Sequence, residues 1–248
     1  MQKTKLNTIS LLTILFVVLF VSCKNKDINE AFPISIDSDI PKLEAVKPYT
    51  PLELAGRDIY VRESCYNCHS QTIRPFRNKT ETNGNDSDSG KNVKNHSFQW
   101  GTKRTAPDLF REGGKRSNLW HFNHIYKHGN VKSDSIKPNY QWIIKNDLDA
   151  SGIQAKMKDM RILGTKLKDG TEFYTDDYIS KAPELLAKQA RKIANDLIAN
   201  NVRTASAAYV DAFGDKQVDL SKKEIVALIA YLQRLGTGTT IRLGTRKR

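Results

Sequence analysis

The run Cys65-Tyr66-Asn67-Cys68-His69 decides how the rest of this 248-residue chain is read. Two thiols two residues apart, followed at once by a histidine, form the C-x-x-C-H attachment site of a c-type haem. Thiols one helical turn apart can add across the two vinyl groups of one porphyrin and hold it covalently. The histidine after the second thiol then lies beneath the iron and supplies its imidazole as the proximal ligand. Other uses of the pattern lack their companions. A structural zinc site wants a second C-x-x-C or a Cys/His pair, and the only further cysteine is Cys23. A thioredoxin-like dithiol sits beside a βαβ pattern, and the sequence shows none. One covalent haem c is therefore expected, with Cys65 and Cys68 as attachment points and His69 as the iron ligand.

Working outward, the segment before the motif starts a helix cleanly. Thr50 caps, Pro51 takes the first helical position and Glu53 completes a capping box. Leu52, Ile59 and Val61 supply apolar positions, and this helix is expected to run into the haem motif. After the motif, Arg74 is a candidate partner for an anionic haem propionate, as is Arg104. From Asn78 to Ser97 the chain turns to Asn, Asp, Ser, Gly, Lys and Thr, which reads as a long exposed loop. Pro107 restarts ordered structure. Its carbonyl is the candidate acceptor for the far ring nitrogen of His69, a bond that fixes the tautomer and raises ligand basicity.

The rest reads as helix. Ser117 caps a helix running to about His128, with Leu119, Trp120, Phe122, Ile125 and Tyr126 on its apolar side. This helix carries His121, His124 and His128, spaced so that neighbours share a face. Such a cluster could bind a metal or offer an alternative haem ligand, with His121 or His124 swinging in. No acid or thiol beside them completes a site, however, so they are read as polar helix residues hydrogen-bonding to loops or propionates. Ile153, Met157 and Met160 form one stripe of a helix ending at Gly164. Pro183 opens another, with Leu186, Ile193 and Leu197 inward. Ser221-Lys222-Lys223-Glu224 reads as a second capping box, opening a helix through Ile225, Leu228, Ile229 and Leu232 that Gly236 stops. The last helix is expected to pack across the first near the haem edge. An all-α cytochrome c domain over residues 50–238 follows, with a long loop insertion and additional C-terminal helices.

The N-terminus reads as an export segment over residues 1–23. Lys3 and Lys5 precede an almost unbroken apolar run from Leu11 to Val21, which Ser22-Cys23 ends. A small residue before a cysteine at that place resembles a bacterial lipoprotein processing site, although Phe20 departs from its usual Leu-type residue. Lipidation at Cys23 is expected. The competing reading is a short membrane anchor: from Leu6 to Cys23 is 18 residues, about 27 Å of helix against a hydrocarbon core of ~30 Å. Either way, positive-inside leaves the remainder outside the cytoplasm, facing the periplasm. Residues 24–49, rich in Asp, Lys, Pro and Ser, read as a tether.

Composition bounds the partners. Hydrophobic residues make up 39%, and the formal net charge is +13. Such a balance suits nucleic acid, anionic lipid or an acidic protein. No nucleic-acid motif is present, so a membrane or protein partner is expected. Arg242, Arg246, Lys247 and Arg248 crowd the end as a solvated basic tail over residues 239–248.

With these residues assembled, the stretch from Pro48 to about Trp142 resembles a known family. It is similar to the monohaem cytochrome c subunit (FixO/CcoO type) of cytochrome cbb(3) oxidases, which are haem–copper oxidases. The matching runs are Pro48 to Tyr60 and Cys65 to Pro75. Gln99-Trp100-Gly101, Lys103-Arg104-Thr105, Pro107-Asp108-Leu109, Trp120-His121 with His124, and Pro138 with Tyr140 and Trp142 follow. The end, Ala230 to Thr237, also fits. The resemblance implies a membrane-attached subunit that takes electrons from another cytochrome c and passes them to the haem–copper catalytic subunit. It does no bond-making itself. It also places Trp100 at the cofactor.

Three departures stand out. The family's long transmembrane anchor is here a shorter run ending in a cysteine. Ala106 stands where glycine is usual. Lys137, just before Pro138-Asn139-Tyr140, stands where the family carries its distal methionine. A thioether ligand favours ferrous iron and raises the potential. An amine must first lose its proton, which burial promotes, and would lower the potential. A protonated Lys137 would leave five-coordinate iron open to small ligands. A ligand-binding haem protein and a structural or assembly subunit of the oxidase are therefore the alternative readings. Met157 and Met160 are read as core residues from their helical spacing.

Overall fold

Helix α1, Pro51–Arg62, begins where the sequence says it should. In a computed structural model of the chain, the Thr50 side chain accepts from the Glu53 amide at 3.4 Å. The Glu53 carboxylate accepts from the Thr50 amide at 2.8 Å, closing the capping box. Glu53 is itself buried and does further work. Gln189 donates to it at 3.4 Å, and Arg234 lies 3.7 Å away. One cap thus ties the start of α1 to two other helices.

The structure describes residues 48–69, 106–107, 109, 112–128, 137–162 and 172–237. The export segment with Cys23, most of the tether, Arg74, the 78–97 loop, Trp100, Arg104 and the basic tail lie outside these residues. Among the described residues every regular element is helical. After a 3-10 turn at Cys65–Asn67 come α2 (Asn118–Tyr126), α3 (Gln141–Lys145) and α4 (Ile153–Ile162). Then follow α5 (Asp176–Ser180), α6 (Ala182–Ala199), α7 (Val202–Ala205) and α8 (Ala207–Phe213). A 3-10 turn at Leu220–Lys222 leads into α9 (Glu224–Arg234). An isolated antiparallel bridge pairs Asp147 with Lys223 without forming a strand.

The core is organised by α1 crossing α9. Every residue from Glu224 to Leu232 is buried, as expected of a helix enclosed on all sides. Gly56 makes the approach possible. A Cβ there would lie 1.9 Å from the Ala227 carbonyl oxygen and 2.9 Å from the Tyr231 Cβ. Ion pairs hold both ends: Arg234 beside Glu53, and Arg62 donating to both Glu224 carboxylate oxygens at 2.7 and 2.8 Å. Tyr60 and Tyr231 pack with ring centroids 5.2 Å apart. Met157 and Met160 are buried in the core, as their stripe implied.

Two local expectations need correction. First, α1 does not carry the haem motif. It stops at Arg62, and Ser64 takes a left-handed conformation at φ 55° before the separate 3-10 turn. Second, the Ser221–Glu224 capping box does not form. Ser221 gives both its hydroxyl and its amide to Asp219, at 2.7 and 3.1 Å, so Asp219 caps the short turn instead. Glu224 is committed to Arg62, and the Glu224 amide reaches the Asn146 carbonyl at 3.1 Å. The energies explain why α9 tolerates this. A side-chain cap contributes about 1 kcal/mol, whereas burying each of Ile225, Leu228, Ile229 and Leu232 contributes about 1.5–3 kcal/mol.

Candidate haem site

The left-handed Ser64 turns the chain away from α1 and starts a tight coil around the cysteines. Its carbonyl accepts from the Asn67 amide at 3.0 Å. The Cys65 carbonyl accepts from the amides of Cys68 and His69 at 3.2 and 2.9 Å. Both thiols are free, Cys65 half-buried and Cys68 exposed. Desolvation pushes the Cys65 thiol up to about 11, with Lys137 opposing the rise. Among the described residues no group of three His, Cys, Asp or Glu side chains could hold a metal ion.

His69 is held from two directions. Its Nδ1 lies 2.7 Å from the Pro107 carbonyl oxygen. A carbonyl only accepts, so Nδ1 carries the hydrogen and Nε2 keeps the lone pair an iron ligand needs. Tyr60, from the buried face of α1, donates its hydroxyl to the His69 carbonyl at 3.0 Å. The Ala106 amide donates to the Cys68 carbonyl at 3.2 Å, bringing the Pro107 segment alongside the motif. Ala106 makes that contact through its backbone, so the departure from glycine leaves it intact.

The facing wall comes from α2 and the segment before α3. Ser117 caps α2 by accepting from the Trp120 amide at 3.1 Å, and the helix ends at Tyr126, two residues before His128. His124 stacks on Trp120 with centroids 4.3 Å apart, and its Nδ1 is 2.9 Å from Nδ1 of His128. Burial first, then the charges of Lys137, His128, His121 and His69, hold His124 down at about 2. His121 is buried and held down to about 4 by desolvation, with Lys137 and Arg116 adding to it. Lys137 is half-buried, its Nζ 5.7 Å from the Tyr140 ring centroid. Burial lowers its amine to about 8, partly offset by Cys65. These mutual influences bring Cys65, His69, His121, His124 and Lys137 into one neighbourhood.

The residues fit one haem. Two unbridged thiols and an imidazole in the ligating tautomer are the donors that a c-type centre requires. Several contributors were given no role by the sequence. Tyr60 stands in the sequence only as the end of the run Pro48 to Tyr60. Tyr140 is pushed up by desolvation first and then by the thiols of Cys65 and Cys68. Trp142, exposed, donates its indole N–H to Glu63 at 3.1 Å. Only contacts between distant segments assign these side chains.

An all-α domain whose first and last helices cross beside such a motif is a cytochrome c domain. The chain belongs to the family described as "Cytochrome C oxidase, mono-heme subunit/FixO", whose model matches residues 3–239. It is thus a mono-haem cytochrome c subunit of the cbb(3) oxidase type. No curated protein matches the chain. Among the described residues no helix is long and apolar enough to cross a membrane.

Proposed function

We propose that this subunit is a membrane-attached relay that takes electrons from another cytochrome c and passes them to the haem–copper catalytic subunit. The 2.7 Å contact between His69 Nδ1 and the Pro107 carbonyl carries the reading. In it, Cys65 and Cys68 hold haem c through thioethers, His69 ligates the iron and Arg74, Arg104 and Trp100 contact the cofactor. The bound haem supplies the one-electron couple. The polypeptide's part is positional. Tyr60 and Pro107 hold His69 in one orientation and tautomer, so little reorganises when charge changes. Lys137 would offer an amine to the haem in place of a thioether, a donor that favours ferric iron and a low potential. Residues 1–23 export the chain and Cys23 carries the lipid, with a short anchor as the other form of attachment. Residues 24–49 tether the haem domain (residues 50–238) to the periplasmic face, and residues 239–248 remain a basic tail.

A second reading rests on Lys137 itself. Its Nζ faces the Tyr140 ring as a cation would, and a protonated amine leaves the iron five-coordinate. The protein would then bind small ligands, or serve the oxidase structurally. Absorption spectra of the ferric and ferrous protein, with and without carbon monoxide, test the choice. Low-spin spectra that ignore carbon monoxide support the relay, and ready ferrous binding overturns it. Donor-driven turnover of an oxidase containing Lys137→Met, compared with its potential, separates a relay from a scaffold.

A further inference from the structure

Helix α6 turns a leucine and three cations towards one open groove that the electron relay does not use. Leu185, Lys188 and Lys192 stand at i, i+3 and i+7, with Arg191 beside them, so all four share a wall. Pro51 at the start of α1 and Tyr178 of α5 lie opposite, around a cavity of about 740 Å³ whose exposed lining is mostly apolar. Its three cations are exposed to solvent. Its polar groups are already engaged, since the Thr50 hydroxyl donates to Gln189 at 2.7 Å. Among the described residues none of the lining is acidic, and Glu53 nearby is taken up by Thr50, Gln189 and Arg234. An apolar lining with a positive rim matches an amphiphile with an anionic head. We propose that this groove docks anionic phospholipid and so sets how the haem domain faces the membrane.

The proposal rests on the membrane attachment put forward above. In the chain, the groove is the part of the domain next to that attachment: the tether ends at residue 49, and Thr50 and Pro51 line the groove. An acidic protein surface fits it less well. Carboxylates seated against Pro51, Tyr178 and Leu185 would lose water without gaining partners, whereas an acyl chain gains by the same burial. The rim cations would meet the lipid phosphates at the surface, where each Lys or Arg adds to the attraction. The haem motif lies at the other end of α1. From Pro51 to Tyr60, whose hydroxyl holds the His69 carbonyl, the helix rises about 14 Å. Because α1 is locked against α9, seating one of its ends on lipid decides where the other end faces.

The test uses the full haem-loaded chain in vesicles of phosphatidylglycerol or of phosphatidylcholine. A neutral acetylating reagent labels the lysines, and mass spectrometry reads each site. Exposed Lys145, beside the Asn146–Glu224 contact at the far end of α1, is the internal reference. Lys188 and Lys192 are expected to react about fivefold more slowly in phosphatidylglycerol than in phosphatidylcholine. The difference should fade at about 0.5 M salt, and in Lys188→Gln with Arg191→Gln it should be lost at Lys192. Both substitutions are at exposed positions, so the fold is retained. Equal rates in the two vesicles overturn the proposal, whether the amines are free in both or covered in both by the chain itself. So does slowing that persists at Lys192 in the double variant, or that begins only when the oxidase is added, which assigns the groove to a protein surface. A chain that floats with neither vesicle overturns the membrane attachment, and the groove with it.

Discussion

On the His69 side of the candidate site, backbone groups set nearly every position: the Cys65, Cys68 and Pro107 carbonyls, the Ala106 amide and the strained turn at Ser64. Across from it, Lys137, His121 and His124 are placed by side-chain packing and respond to one another's charge. The first side has little freedom to change with protonation, and the second has a great deal. Under the proposed relay, such a centre would keep its ligand orientation constant on one side while the other adjusts potential and proton affinity. Substitutions should therefore act all-or-none on the first side and by degrees on the second.

The strongest test removes the anchoring chemistry. Cys65→Ala together with Cys68→Ala is expected to abolish covalent haem, read as loss of the haem mass increment on the intact protein. Lys137→Met should leave attachment intact and raise the midpoint potential by about 0.1 V or more, within the ~0.8 V that axial ligands span. An optical redox titration checks it, and an unchanged potential would remove Lys137 from the iron. Beneath both sides lies the α1–α9 crossing. Gly56→Ala drives a Cβ into the Ala227 carbonyl, and such overpacking costs about 3 kcal/mol, measured by urea denaturation.

A smaller effect concerns His121. Its folded proton affinity is depressed, so the unfolded chain takes the proton first. Stability is present in full above about pH 6.5 and is lost as pH falls from there towards about 4. The loss is on the order of 2–3 kcal/mol, and His121→Gln should flatten that slope in denaturation measured across the window. Smallest is Tyr60→Phe, which removes one hydrogen bond to the His69 carbonyl at a cost of about 1 kcal/mol. Haem retention should survive it, which would show that Pro107 alone suffices to orient the ring.

Legibility followed the range of the interactions. The Thr50–Glu53 box and the Ser117 cap were readable because each is closed within four residues. Ser221 looked equally good and failed, because Asp219 competes for it locally and Arg62 takes Glu224 from far along the chain. Gly56 stood in the sequence only as one residue of the run Pro48 to Tyr60. Its reason is the backbone of Ala227. Glu112 carried no local signal at all, and Tyr60 and Tyr140 stood in the sequence only within the runs that resemble the family.

The sequence by itself determined the all-α class and marked Cys65 to His69 as the expected place of haem attachment. Each depends on residue type and spacing within a few positions. The tertiary structure alone decided that the motif sits on a separate turn after α1. It also decided that Tyr60 holds the His69 backbone carbonyl beside the expected Pro107 contact, and that Glu112 lies 4.0 Å from the buried His121. Those outcomes depend on which distant segments share space once α1 and α9 have crossed, and no local periodicity records that.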